Sequence, residues 1–113
     1  MSGIDALIEK GFIDDSNLFI AGGSAGGIAT AYAIGLTDRF NAAVAAKPVI
    51  NWVSKTLTAD SMVGQIYHQF PGPPWEHLDH YWKRSPLSLI GNVTTPTMLL
   101  TGENDRRTPM SET

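Results

Sequence analysis

The sequence predicts an α/β fold built on parallel strands. An apolar run, Leu18-Phe19-Ile20-Ala21, passes straight into Gly22-Gly23-Ser24-Ala25-Gly26-Gly27, and residues at helical spacing follow. Two further short apolar runs lie beyond, at 42–47 and 97–101. Strands that are apolar without alternation are buried on both faces, and such strands separated by helical segments belong to parallel sheets.

Each element has its own local reason. Ile4, Leu7 and Ile8 predict a short amphipathic helix through Lys10, with Gly11 as the residue that stops it. Asp14-Asp15-Ser16 is turn chemistry, and the first strand is expected over 17–21. After the glycines, Ile28, Ala31, Tyr32 and Gly35 recur at helical spacing, with Ala29 and Ala33 filling the turns between them. The second strand spans 42–47 and ends at Pro48. The third spans 97–101, entered after Pro96 and left at Gly102. In the middle, Asp60 or Ser61 caps a helix carrying Met62, Val63, Ile66 and Tyr67, which Pro71 stops. Pro71-Gly72-Pro73-Pro74 reads as loop, and Trp75, Leu78 and Trp82 share one face of a short helix. Ser85-Pro86 is an N-cap and first-turn pair for a segment through Ile90, closed by Gly91.

Composition bounds what the chain does. Its 113 residues give room for one domain, and 42% hydrophobic content argues against disorder. A net charge of -3 with only 8 Lys and Arg leaves no footprint for nucleic acid. The apolar runs fall far short of the roughly 20 residues a membrane helix needs, so no membrane partner is expected. The N-terminal stretch carries Asp5, Glu9 and Lys10 and shows no secretory leader. Zero cysteines exclude disulfides and thiolate chemistry and agree with a reducing compartment, so the expected location is cytoplasmic.

Gly22-Gly23-Ser24-Ala25-Gly26 matches G-x-S-x-G, the nucleophile elbow. A sharp turn between strand and helix lifts the serine hydroxyl above the carboxyl edge of a sheet, and small flanking residues avoid clashes. The same turn offers the backbone N–H of Ala25 where an oxyanion would develop. A glycine-rich turn that cradles a phosphate is the competing reading. A Walker loop is excluded because no lysine follows the glycines, and the spacing fits a dinucleotide fingerprint poorly. Downstream, Gly102-Glu103-Asn104-Asp105-Arg106-Arg107 follows the third strand directly. An acid in that place suits the chain order Ser…Asp/Glu…His, with Asp105 orienting a histidine and Glu103 as a rival nearer the strand end. An exposed turn aspartate is the plainer alternative. Arg106 and Arg107 are expected to be solvated, with one of them able to keep Asp105 ionised.

Taken in order, Gly22–Gly27, Lys47-Pro48-Val49-Ile50-Asn51-Trp52, Pro73-Pro74-Trp75-Glu76, Tyr81-Trp82-Lys83-Arg84-Ser85-Pro86 and Gly102-Glu103-Asn104-Asp105-Arg106 carry a resemblance. Together they resemble the catalytic domain of the prolyl oligopeptidase (S9) family, in particular its acylaminoacyl-peptidase-like branch. The resemblance runs from about residue 6 to 109. It implies a partial α/β-hydrolase fold over 1–113 and serine-peptidase chemistry on peptide or N-acyl-peptide bonds. It also implies Ser24 as nucleophile, Asp105 as triad acid and no cofactor. Val49, Ile50 and Trp52, just past the second strand, are then expected to line an apolar substrate pocket beside Ser24. Many relatives carry an aromatic residue where this chain has Ala25, so one wall of the site would be lost.

The family's histidine lies a few dozen residues after the aspartate, whereas His68, His77 and His80 all precede Asp105. The chain is therefore expected to be a fragment of a hydrolase core. A carboxylesterase on the same fold and an inert fragment are the alternative functions. His77 and His80, with Asp79 and His68 nearby, lack a further ligand at a known spacing, so solvated surface histidines are expected and no metal. Trp75, Tyr81 and Trp82 lack a basic stripe and are expected to pack. Asn92-Val93-Thr94 matches a glycosylation sequon, read as chance. A strand over 17–21 belongs in the middle of the parent sheet. With its upstream neighbour absent, the chain is expected to form a homo-oligomer or to pair with a complementary fragment, unless the N-terminal helix covers that edge.

Overall fold

Three parallel strands, β1 (Phe19–Gly23), β2 (Ala42–Ala46) and β3 (Thr97–Leu100), form a sheet in the order β1-β2-β3. The computed structural model describes residues 1–61 and 63–113. Helix α1 (Ser2–Ile8) precedes β1, and α2 (Ala25–Leu36) crosses from β1 to β2. Helices α3 (Trp52–Thr58), α4 (Val63–Gln69) and α5 (Leu78–Arg84), then a 3₁₀ segment (Pro86–Asn92), lie between β2 and β3. A 3₁₀ turn (Met110–Glu112) follows β3. Ile34 of α2, Phe40 and Ala43 of β2 make the core where helix meets sheet, and Ile4 of α1, Leu18 and Ile20 pack against it.

Pairing begins two residues later in β1 than the apolar run predicts. Asn17 belongs to the preceding turn instead: its Nδ2 donates to Asp14 Oδ2 at 2.5 Å. Ser16 donates to Asp14 Oδ1 from its N–H (3.0 Å) and its hydroxyl (2.5 Å). The bonds from Ser16 and Asn17 hold the Asp14 carboxyl below its usual 3.8. Register then carries the strand through Gly22 and Gly23, opposite Ala45 and Ala46. The strands are also less buried than expected. Only β2, the central one, buries side chains (Ala43 and Ala45), whereas Phe19 is 69% exposed and all of β3 is exposed. The cause is topological: with three strands, β1 and β3 are both edges.

Helix α1 ends at Ile8 rather than Lys10, but Gly11 has φ +79° and donates its N–H to the Ile8 carbonyl at 2.9 Å, as a left-handed stop requires. Met62, expected in the helix realised as α4, lies outside the described residues. In α5 the expected inward face is turned around. Trp75, Leu78 and Trp82 are exposed and Tyr81 is fully buried, stacked on Phe70 with centroids 4.1 Å apart and donating its hydroxyl to the Gly72 carbonyl at 2.9 Å. Pro86 opens the 3₁₀ segment as predicted, yet the Ser85 hydroxyl donates to the Tyr81 carbonyl (2.8 Å) rather than capping. Helix α3 has no counterpart in the sequence reading. Asn51 starts it by accepting from the Val53 N–H at 3.0 Å.

Candidate active site

Ser24 stands between β1 and α2 with φ +56° and ψ -117°, in the left-handed half of the map that non-glycine residues rarely enter. Two contacts hold it there. Its N–H donates to the Ala46 carbonyl at 2.9 Å, and its carbonyl accepts from the Ile28 N–H at 3.0 Å. The glycines explain why the turn closes. A Cβ on Gly22 would lie 2.2 Å from the Gly26 oxygen, and one on Gly27 would lie 2.5 Å from the Ala46 oxygen. The expectation for the second motif glycine is corrected: a Cβ on Gly26 meets nothing within 4 Å, because the close approach is made by its backbone and not by its α-hydrogen side. Ala25 is the first residue of the 12-residue α2, so its N–H has no acceptor one turn back and the positive end of the helix dipole sits beside Ser24.

Lys47, at the end of β2, is the other non-glycine residue with positive φ among the described residues (+49°), and its N–H donates to the Leu100 carbonyl at 2.6 Å. Because all three strands are parallel, Ser24, Lys47 and the 102–108 loop meet at one sheet edge, the carboxyl edge. Strands β1 and β3 are separated by β2, so their ends stand about 9.5 Å apart.

A cleft of about 360 Å³ opens beside Ser24. Of the residues expected at the site, Ser24, Ala25, Val49 and Trp52 line it. Ile50 does not join them. It lines a second cavity of about 440 Å³ with Ala31, Ile34 and Leu87, because its N–H is drawn to Glu112 Oε2 (3.2 Å) and its carbonyl to the Leu87 N–H (3.0 Å). Asp105 borders the cleft only through its neighbours. Its Oδ1 accepts from the N–H groups of Arg107 (2.9 Å) and Thr108 (2.8 Å), and this turn sets both of those residues on the cleft wall. Arg107 is not merely solvated, since its Nε pairs with Asp60 Oδ1 at 2.9 Å.

The sequence reading missed the polar part of the cleft. Lys47, Lys55, Gln65 and Gln69 line it together with Arg107 and Thr108. Lys55 is 4% exposed, with Nζ 3.2 Å from Gln65 Oε1 and 5.9 Å from the Trp52 ring centroid. Burial, then the like charge of Arg107, push its pKa below 10.5, while Asp60, Glu112 and Asp105 oppose the shift. Trp52 and Lys55 are three apart on α3, a spacing that would have revealed a shared face had that helix been recognised. His77 and His80 lie away from this cleft, along Pro71, Trp75 and Asp79, and among the described residues no group of three or more His, Cys, Asp or Glu is placed for a metal ion.

The family model for the prolyl oligopeptidase family, Peptidase_S9, matches residues 1–113. The chain belongs to that family. As a member of the prolyl oligopeptidase family it is similar to the protein named uncharacterized peptidase YuxL of Bacillus subtilis (strain 168), with 36% identity over 115 residues. That match covers 99% of this chain and 17% of the relative. The acylamino-acid-releasing enzyme of Arabidopsis thaliana is 37% identical over 116 residues, covering 96% of this chain and 15% of that enzyme. Among solved structures, the acylaminoacyl peptidase of Pyrococcus horikoshii superposes with a TM-score of 0.85 at 26% identity, over 97% of this chain and 18% of that one. A puromycin-hydrolyzing peptidase of Mycobacterium tuberculosis gives 0.85 at 33% identity, over 97% and 17%. The three-stranded parallel sheet with its flanking helices is thus part of an α/β-hydrolase fold, in a family of serine peptidases. No helix among the described residues is long and apolar enough to cross a membrane.

Proposed function

We propose that this chain supplies the nucleophile and the triad acid of an S9-type peptidase that cuts peptide or N-acyl-peptide bonds through an acyl-enzyme on Ser24. The observation that carries this reading is the strained turn at Ser24, opening a helix at the sheet edge it shares with Asp105. In that reading Ser24 Oγ gives its proton to the triad histidine as it attacks the scissile carbonyl, the carbonyl oxygen gathers charge against the Ala25 N–H, and the histidine passes the proton to the amine as the C–N bond breaks. The turn around Asp105 uses Oδ1, which leaves Oδ2 to face a histidine seated between the strand ends. Val49 and Trp52 form the apolar wall for the substrate side chain, so Trp52→Ala in the complete enzyme changes selectivity among side chains. The chemistry calls for no cofactor, and the lack of cysteine suits a cytoplasmic setting.

His68, His77 and His80 precede Asp105, so the 113-residue chain by itself is expected to hydrolyse acyl-peptide anilides at no more than about 10³–10⁴-fold over water. A fluorophosphonate tests the nucleophile directly. Adduct formation on Ser24 of the complete enzyme, absent from Ser24→Ala, supports the reading, and a complete enzyme left unlabelled refutes it. p-Nitrophenyl esters against acyl-peptide anilides, assayed in the complete enzyme, separate the peptidase from a carboxylesterase, since the elbow alone serves both.

The open strand edges give the same reading a partner. Phe19 stays 69% exposed and α1 packs by Ile4 on the Ile34–Phe40 core, so β1 presents an unguarded edge suited to a twofold copy or a complementary fragment. Sedimentation at micromolar concentration is expected to show self-association; a monomer with a cooperative melt would count against it.

A further inference from the structure

Glu112 is 4% exposed, and the mechanism built on Ser24 and Asp105 does not use it. A carboxylate is rarely buried unless donors surround it, and here three do. Oε2 accepts from the N–H groups of Ile50 (3.2 Å) and Asn51 (2.9 Å), and Oε1 accepts from the Ser54 hydroxyl. All three donors lie at the start of α3, the helix that puts Trp52 on the cleft wall. Glu112 itself belongs to the segment that carries Asp105, and that segment has little slack. Asp105 Oδ1 binds the N–H groups of Arg107 and Thr108, Thr108 is buried, and the Glu112 N–H donates to the Pro109 carbonyl at 2.9 Å. A second tie closes the other end of α3. The Asp60 N–H donates to the Arg106 carbonyl (3.0 Å), and the Asp60 carboxylate pairs with Arg107 (2.9 Å). Both side chains of that ion pair are exposed, so the buried Glu112 is the stronger tie.

We propose that Glu112 is a positioning residue, whose buried carboxylate clamps the start of α3, and with it the Trp52 wall, to the loop that bears Asp105. The clamp serves catalysis where Ser24 is the nucleophile and Trp52 a wall for the substrate side chain, and so rests on the function proposed above. What matters in it is reach rather than charge. Glutamine has the same length as glutamate. Its amide oxygen accepts from both N–H groups, and its amide nitrogen donates to Ser54 Oγ, whose own proton then goes to the Asn51 carbonyl 3.0 Å away. Aspartate keeps the charge but is one methylene shorter, so it either draws the start of α3 off its seat or leaves N–H groups unpaired.

The test is steady-state kinetics of the complete enzyme on acetyl-phenylalanine anilide and acetyl-alanine anilide. In Glu112→Asp, KM for the phenylalanine substrate is expected to rise about five- to tenfold, because the large side chain loses its wall. KM for the alanine substrate, too small to lean on that wall, should stay within about twofold. So should kcat per site titrated by fluorophosphonate, because Asp105 keeps the bonds of its own turn. Glu112→Gln should hold both substrates within about twofold of the native enzyme. Ser54→Ala, which removes one donor and leaves the carboxylate, should raise the phenylalanine KM about threefold, and it decides the matter if Glu112→Asp fails to fold. A phenylalanine KM unmoved in folded Glu112→Asp overturns the proposal, as does an equal loss on both substrates, the mark of a merely structural role. A Glu112→Gln enzyme as impaired as Glu112→Asp overturns it too, since charge would then outweigh reach. Labelled Ser24 with level KM values defeats this inference alone. A native enzyme left unlabelled defeats the nucleophile instead, and dissociation constants of acetyl-phenylalanine amide and acetyl-alanine amide then decide the clamp by the same ratios.

Discussion

The turn that carries Ser24 and the helical segment that walls its cleft are held together by opposite means. Around Ser24 the backbone packs against itself: Gly22 lies on Gly26 and Gly27 on the Ala46 carbonyl, so the geometry depends on side chains being absent. Between Trp52 and Asn92 the geometry depends on side chains being present. Tyr81 and Ser85 are fully buried; Ser85 accepts from the Trp52 N–H (2.9 Å) and donates to the Tyr81 carbonyl, tying α3 to α5. The Trp52 ring meets Phe70 edge-on at 5.3 Å, and Phe70 stacks on Tyr81. The first region tolerates no addition at Gly22 or Gly27, and the second is weakened by removal at Tyr81. A nucleophile needs one fixed backbone, whereas a pocket wall is free to be built from whatever side chains fill the space.

Substitutions sharpen this contrast. The largest effect is expected for Tyr81→Ala, which empties the centre of the aromatic cluster and should cost about 3–5 kcal/mol in urea unfolding. Tyr81→Phe, which keeps the ring and loses the hydroxyl's bonds to Gly72 and Thr56, should cost about 1 kcal/mol. If the alanine variant were no worse than the phenylalanine variant, the wall would not depend on that ring. Next comes Gly22→Ala, where the new methyl meets the Gly26 backbone and should cost about 1–3 kcal/mol. Gly26→Ala, in open space, should stay within about 0.5 kcal/mol. Equal losses at the two glycines would break the claim that the clash at Gly22 closes the turn.

The smallest effect is in pH. Burial, then Arg107, hold Lys55 below 10.5 in the fold, so between that lowered value and 10.5 the unfolded chain binds more protons. Stability therefore rises as pH climbs through this window. Tyr81 acts oppositely: burial raises it above 10.0, against a smaller lowering by Thr56, so its share is present below 10.0 and lost as pH rises through the folded value. Comparison with Lys55→Met isolates the lysine, and the free-energy gap should move in favour of the native chain toward pH 10.5. A gap that stayed constant with pH would mean Lys55 is no more desolvated than a surface lysine.

The same contrast explains what was legible in the sequence. Ser24, its glycines and the strand–helix order were readable because a strained turn admits few residue types, and Val49 and Trp52 followed from their place after β2. Asp105 was readable by position only, since its hydrogen bonds within the turn also suit a plain turn aspartate. The register of β1 was not readable: Asn17 suits a strand end until the Asp14 turn claims it. Helix α3 was hidden because Val53, Thr56 and Thr58 are β-branched and weaken the helical signal. The burial of Lys55 and Glu112 had no local signature at all. Both depend on partners ten or more positions away, Gln65 for one and Ile50 to Ser54 for the other.

The bonds from the Ser24 N–H to Ala46 and from the Lys47 N–H to Leu100 carry the sheet's ladder one residue past the end of each strand. In a parallel ladder alternate residues face the same neighbour, so Ile20, Gly22 and Ser24 point their amides at β2 while Phe19, Ala21 and Gly23 point theirs at the open edge. Opening the backbone at Ser24 or Lys47 therefore means parting β2 from a neighbour, so these two strained residues should trade hydrogen for deuterium more slowly than the amides on the open edge. Phe19 and Ala21, in ordinary strand conformation, exchange early. At Ser24 and Lys47 strain and protection are expected in the same amide, while the relaxed edge opens first.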